Sequence, residues 1–532
     1  MINELKKYWK EDMLSGFLVF ILALPLSMGI AQASEFEPIY GLLTAMIGGL
    51  VVALFAGSPL TIKGPAAGLI VIVAGAVNEF GGGEMGWRFT LGAVLVAGIF
   101  QILFGLLKMG KLSDFFPLPA VHGMLAAIGI IIISKQLHGL LGINPMHKHL
   151  DPSVVGAAGD KPLVKPFELF EAMPHSLQHL NHHALIIGIV SLIVVLGWPL
   201  VKHPVAKKIP APLLVLLVAI PLSKLIGLDE KLFVHFDKSL HDIMELNVSF
   251  GGLETPSIFI KYVVMFSIVG SLEALLTVKA IDMRDPLHRN SNTNKDLSAL
   301  GLGNAIAGAL GGLPMISEVA RSSANVNNGG KSRWSNFFHG FFMLIFLLLA
   351  VQFSGLIPKP ALSAMLIGVG LKLAHPNEFK HMLKIGRDQL FIFLLTIIVT
   401  LATDLLLGIL AGILLKLIFE ISKGLKFSEV FKAKVDIQKG ADQYEVIALS
   451  SLVFSNYISL TNQLNTIPKD ANVKLIVSNI SMIDHSTMEN LQRLSSDFKA
   501  QGGQFELVGL ERFIQLSADP LSVRINKDIN KK

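Results

Sequence analysis

The 532-residue sequence contains no cysteine, which excludes disulfides, thiolate metal sites and cysteine nucleophiles. It is also poor in charge: 16% of residues are Asp, Glu, Lys or Arg, against 52% hydrophobic. A mean hydropathy of +0.60 exceeds what a water-soluble core requires, so the chain reads as a multi-span membrane protein. A cleavable leader is not expected, because Met1 to Asp12 is charged and the first apolar run lacks a convincing small-residue cleavage site. The C-terminal portion carries neither a Gly-rich phosphate fingerprint nor a catalytic pair, so no enzyme activity and no resident cofactor are expected.

The net charge of +6 does not indicate nucleic acid, because the basic residues are spread over short loops. Lys6, Lys7 and Lys10, then Lys108 and Lys111, then Lys202, Lys207 and Lys208 fall on one side of the membrane if the N-terminus is cytoplasmic. Hydropathy places segments at roughly 13–33, 38–56, 60–77, 89–107, 118–136, 184–203 and 211–227, then 258–279, 297–312, 314–326, 336–355, 360–374, 389–404 and 405–423. About fourteen segments leave both termini in the cytoplasm. They divide into two sets of seven, roughly 13–227 and 258–423, as an inverted repeat requires.

The third segment of each set is too short to span and opens on glycine and proline: Lys63-Gly64-Pro65-Ala66-Ala67-Gly68 in one, Gly311-Gly312-Leu313-Pro314 through Arg321 in the other. Broken helices of this kind turn unpartnered backbone N–H groups toward the midplane, where the positive dipole end favours an anion. Ala66, Ala67, Gly68 and Ser317, with Val319 and Ala320 beside it, are candidate substrate contacts, small enough at the helix starts for close approach.

Glu273 sits in the middle of the eighth segment, where a carboxylate must face a cavity or a partner. With Thr277 one turn on, it offers oxygen ligands for Na+ or a carboxyl able to carry a proton; a structural hydrogen bond is the alternative. Glu318 and Arg321 lie three residues apart in the tenth segment, either as an anion-attracting pair or as an internal salt bridge. In the first segment, Pro25 marks a kink that would let Ser27 or Gln32 bond an oxyanion, or serve packing alone. Lys63 and Lys135 are expected to snorkel toward the interfaces. The exterior-loop histidines His147, His149, His175, His179, His182 and His183 match no ligand spacing and are expected to be solvated, so no metal is expected beyond the candidate Na+.

Beyond Lys423 the composition becomes that of a soluble domain. A basic linker, 424–434, precedes an α/β domain over 435–532, with strands at Tyr444–Leu449, Val473–Ser478 and Gln504–Val508 and helices at Ser455–Asn465 and Ser486–Gln501.

At these residues the chain resembles the SulP family of anion permeases over nearly its whole length. The resemblance is carried by Asp12 to Ala31 with its Ala-Leu-Pro core, Thr61 to Gly68, Gly270 to Asp282, and Gly301-Leu302-Gly303-Asn304 through Asn325. The C-terminal part resembles a STAS domain, with Ile483-Asp484-His485-Ser486-Thr487 as its signature loop. The resemblance implies a polytopic α-helical membrane protein with a 7+7 inverted repeat of core and gate domains, the uracil-permease-like fold, plus a small cytoplasmic STAS domain. It implies residence in a bacterial inner membrane, anion binding between the third and tenth segments, and a homodimer. Coupling through H+ or Na+ at Glu273 is implied, with Arg321 as the family's arginine; Glu318 departs from the pattern. Ser486 matches a serine phosphorylated in free-standing STAS proteins and is a candidate regulatory site, with a cytoplasmic partner of that domain as a further expectation. Sulfate and bicarbonate lead as substrates of a symporter. A dicarboxylate or nucleobase permease, an anion channel or exchanger, and a membrane-tethered signalling scaffold are the alternatives.

Overall fold

Glycine and proline mark where the third and tenth segments cease to be helical. The computed structural model describes residues 2–143, 166–203, 209–440 and 443–527; His147, His149, Lys207 and Lys208 lie outside them. Contacts divide the chain into two compact units, 1–110 with 128–373, and 111–127 with 374–532.

Fourteen helices occupy the segments read from hydropathy. They are α1 (Ile2–Ala33), α2 (Pro38–Ile47, prolonged by a π-turn to Val52), α3 (Ile70–Glu79), α4 (Gly83–Leu106), α5 (Leu118–Leu140), α6 (His182–Gly197) and α7 (Ala211–Leu225) in the first half. The second half holds α8 (Pro256–Asp282), α9 (Thr293–Leu310), α10 (Val319–Asn327), α11 (Trp334–Leu349), α12 (Lys359–Leu373), α13 (Arg387–Ala402) and α14 (Leu405–Ser422). Among the described residues eight helical stretches are long and apolar enough to cross a membrane. The others are shorter, or, like α9, too rich in polar and small residues to register as apolar.

In the first unit, α9 lies against α4 along a seam of small residues. A β-carbon on Gly98 would fall 2.7 Å from the Gly301 carbonyl oxygen, and one on Gly301 would fall 2.5 Å from that of Gly98. Only hydrogen fits there, and in lipid such close backbone approach replaces the hydrophobic drive that water would supply. The α5 helix ends in contact with the segment that follows it. Buried His138 engages the Ser176 hydroxyl at 2.7 Å and the Leu169 carbonyl at 2.9 Å, so part of the region expected to be loop forms two short helices, Pro166–Glu171 and Met173–Gln178.

The short third segments each begin as a strand. β1 (Lys63–Pro65) and β2 (Met315–Ser317) pair antiparallel, with Lys63 opposite Ser317 and Pro65 opposite Met315. Neighbouring side chains bond the backbone that this extended stretch leaves exposed, as any non-helical chain inside a membrane requires. The Asn304 Oδ1 accepts from Met315 N at 2.6 Å, its Nδ2 donates to Gln101 at 2.7 Å, and the Thr44 hydroxyl accepts from Leu313 N at 2.8 Å.

In the second unit, the C-terminal α/β domain contains β3 (Val435–Lys439), β4 (Tyr444–Ala448), α15 (Tyr457–Leu464), β5 (Asn472–Ile476), β6 (Met482–Ile483), α16 (His485–Ala500), β7 (Gln504–Val508), β8 (Phe513–Gln515) and β9 (Arg524–Asn526). One sheet runs β3-β4-β5-β7, antiparallel at β3–β4 and parallel thereafter; the other runs β6-β9-β8. Val446, Leu475, Leu491 and Phe498 are central to its core.

Candidate functional site

The β1–β2 ladder brings the starts of the two half-helices together. Just past β1, the tight turn Ala67–Leu69 leads into α3; just past β2, Glu318 leads into α10. Glu318 N donates to the Ile62 carbonyl at 3.0 Å and Ala66 N to that of Pro314 at 3.3 Å, so each helix start is tied to the other strand.

Glu273 projects from α8 onto this crossing. A β-carbon on Gly68 would lie 2.0 Å from its Oε1, so the carboxylate rests against the first turn leading into α3, in space that any larger residue at 68 would make it leave. The residue is buried, and Oε1 has no hydrogen-bond partner among the described residues. Thr277, one turn on, is buried as well. A carboxyl so placed meets the positive end of a helix, and its unbonded oxygen can take a proton, a cation or a hydrogen-bond donor.

Arg321 is the largest fully buried side chain among the described residues, at 0% exposure. A β-carbon on Gly64 would lie 2.1 Å from its Nη1, so the guanidinium lies against the β1 backbone. None of its three nitrogens has a hydrogen-bond partner among the described residues. A buried guanidinium without bonds is costly unless a ligand completes it. Glu318 does not supply that bond: its Oε2 accepts from Ala320 N at 3.2 Å and Arg321 N at 3.4 Å, making it the N-cap of α10. Val319 and Ala320 are exposed at the helix start.

The remaining candidates divide. Ala66, Ala67 and Gly68 are buried at the turn into α3. Ser317 is buried, but its hydroxyl faces Asp296 at 3.4 Å. The α1 helix runs unbroken through Pro25, and the Ser27 hydroxyl donates to its own helix at Ala23 O, 2.7 Å away; Gln32 lies half-buried near the end of α1.

Lys63 does not snorkel. It is fully buried, paired with Asp296 at 2.9 Å and bonded to Thr61. The same Asp296 Oδ1 accepts from Gly57 N at 3.0 Å and Ser58 N at 2.9 Å. One carboxylate of α9 therefore touches the approach to β1, the middle of that segment and, through Ser317, β2. Lys135 is likewise held, by Glu35 and by the Ala33 carbonyl at 2.8 Å. Lys63→Arg will retain the charge but force a larger, planar head into a closed space. The expected result is a lower thermal midpoint in detergent, equivalent to about 1–3 kcal/mol of overpacking; an unchanged midpoint would show that the cluster has slack.

Several buried polar residues of this unit lie outside the set expected from sequence, Asp296 among them. Gln101 interrupts the apolar run of α4 as Glu273 does that of α8, and the same rule of costly intramembrane polar groups would have found it. His339 of α11 is fully buried with both ring nitrogens unpartnered among the described residues.

Ser486, in the second unit, is buried on α16, and its hydroxyl accepts from Leu118 N at 3.2 Å. Next to it, Asp484 caps α16 by accepting from Thr487 N at 2.8 Å and pairs with Lys416 of α14 at 3.1 Å.

A model of the sulfate permease family matches residues 9–396. YvdB of Bacillus subtilis, which carries a provisional sulfate-transporter name, is 26% identical over 517 residues, covering 96% of this chain and 92% of its own. The bicarbonate transporter BicA of Picosynechococcus is 26% identical over 447 residues, covering 81% and 73%. Among solved structures, the transmembrane domain of a cyanobacterial BicA superposes with a TM-score of 0.65 at 21% identity, over 76% of this chain and 97% of that one. The murine Slc26a9 anion transporter in its inward-facing state gives 0.66 at 17% identity, over 95% and 87%. These likenesses establish the fold, that of an integral membrane protein.

Proposed function

This chain belongs to the sulfate permease family, and from that premise we propose that it is a secondary active transporter of small inorganic oxyanions, sulfate first and bicarbonate close behind. The observation that carries the reading is the crossing of β1 and β2, which sets a buried, unsatisfied guanidinium against one broken segment and a buried carboxylate against its first turn. An anion arriving there finds Arg321 and the backbone donors of the helix starts; a proton or Na+ arriving there finds Glu273, with Thr277 a turn away. Binding of both neutralises what neither neutralises alone, which is the requirement for symport by alternating access.

In this reading the protein sits in a bacterial inner membrane with both termini cytoplasmic, and works as a homodimer. The C-terminal domain is a STAS domain offering a surface to a cytoplasmic partner; Ser486 is its candidate regulatory position, reachable only when the loop leaves Leu118. The relatives named for sulfate and bicarbonate transport support the substrate class.

The test is uptake of labelled sulfate into proteoliposomes under an inward proton or sodium gradient, with unlabelled bicarbonate and fumarate as competitors. Gradient-driven accumulation displaced by sulfate alone is the expected result and names the coupling ion. Uptake displaced by bicarbonate moves the assignment to that anion, displacement by fumarate moves it to dicarboxylates, and current without counterflow makes the protein a channel.

A further inference from the structure

The start of α10 is already occupied by a negative group of the protein itself. Glutamate is a poor choice for an N-cap, a position that favours Asn, Asp, Ser and Thr, whose shorter side chains reach the N–H groups of the first turn without strain. Glu318 nevertheless fills it, through two long bonds to Ala320 N and Arg321 N, at 3.2 and 3.4 Å. It is only half-buried, next to exposed Val319 and Ala320. Within a turn of it, the Arg321 guanidinium is fully buried and has no hydrogen-bond partner among the described residues.

The charges around Glu318 sharpen its role. Arg321 lies three residues on along α10, its N–H bonded to Glu318 Oε2, and Glu273 of α8 lies against the other helix start, at Gly68. Lys63, next to the Ile62 carbonyl that accepts from Glu318 N, is neutralised by Asp296. Asp12 of α1 accepts from Lys331 N and Ser332 N at 2.7 and 3.0 Å. Arg284, just past α8, donates to Ser323 and Asn327 at 2.8 and 3.0 Å, on the later turns of α10. The N–H groups that would receive a substrate oxyanion are thus held by a carboxylate on a flexible stem, while the nearby buried cation remains unbonded.

We propose that Glu318 is a tethered competitor for the transported anion, a specificity-determining residue that yields the α10 helix start when substrate binds. The inference rests on the anion-transport reading above. An incoming oxyanion takes the Ala320 and Arg321 N–H groups, and the Glu318 side chain turns out toward the exposed side of the helix start. Because its charge repels the substrate as well as competing for donors, a dianion is held back more than a monoanion.

Glu318→Ser separates this role from capping, since serine is a good N-cap without charge; Glu318→Gln keeps the length of the side chain as a second variant. Binding of labelled sulfate and of labelled bicarbonate to the purified full-length chain in detergent is the measurement, with the thermal midpoint as a fold control. Sulfate affinity is expected to tighten about 10-fold in both variants and bicarbonate affinity about 3-fold, the logarithm scaling with substrate charge. If neither anion binds either variant more tightly than the wild type, Glu318 is a cap and nothing more. If the wild-type chain binds and transports neither anion, the transport reading fails and the competitor role with it. A wild type that transports while the variants gain no affinity removes the competitor role alone.

Discussion

Glu273→Gln will abolish gradient-driven accumulation of anion in proteoliposomes while leaving counterflow down a substrate gradient measurable. Glutamine keeps the shape of the side chain that rests against Gly68, and it can still hydrogen bond. What it cannot do is change charge, so it can neither carry a proton nor supply an anionic ligand to Na+. The variant should fold at least as well as the wild type, because a carboxylate at the centre of a membrane helix costs about 2.5–3.5 kcal/mol on insertion scales. Accumulation that survives at the wild-type ratio would remove Glu273 from coupling. Arg321→Ala belongs beside it as a contrast: weaker anion binding is expected there with the fold intact.

The second large effect belongs to the C-terminal unit. Lys416, 1% exposed on α14, lies 3.2 Å from Glu420 and 3.1 Å from Asp484, both equally buried. Lys416→Met leaves two carboxylates facing each other in a closed space, and removing one member of a buried ion cluster costs about 3–5 kcal/mol. Protease resistance of residues 443–527 in the intact protein should fall steeply, and adding Asp484→Asn should restore part of it. Equal resistance in wild type and Lys416→Met would show that the cluster contributes nothing to docking. Burial alone would push the Asp484 carboxyl up, but Lys416 and the Thr487 bonds hold it below the usual range. A depressed carboxylate contributes stability above its unfolded pKa of about 3.9 and loses it as pH falls through the lower folded value. The advantage of the wild type over Asp484→Asn should therefore be full at neutral pH and vanish only below about pH 4.

The broken third and tenth segments were legible because Gly64-Pro65 and Gly311 to Pro314 break helices by local geometry, and Glu273 because a lone carboxylate in an apolar run is rare. Both signals sit in a few consecutive residues. The depth of Lys63 is not legible in the sequence, because it is set by Asp296, 233 residues away, and the end of an apolar run looks alike whether it meets water or a buried acid. Ser317 pointed toward the site by position alone, whereas β-strand alternation turns its hydroxyl to Asp296. The ambiguity at Glu318 was resolved by capping geometry, which depends on where α10 begins to within one residue. In the C-terminal domain the parallel strands β4, β5 and β7 announced themselves by apolar runs. The mostly polar β3 did not, since Asp436, Gln438 and Lys439 are exposed on an edge, where half the strand has no core to match.

The three-residue ladder between β1 and β2 also bears on the thermodynamics of recognition. Two helix starts that are hydrogen bonded to each other and to Asn304 and Thr44 have lost their freedom before any ligand arrives. On the proposed reading, an anion that meets oriented donors has little ordering to impose, so the entropy of binding should come from released water and from side chains such as Glu318, with the backbone contributing almost none. Selectivity in such a site resides in the few groups still able to move, and a change of preferred anion needs only one of them to be replaced.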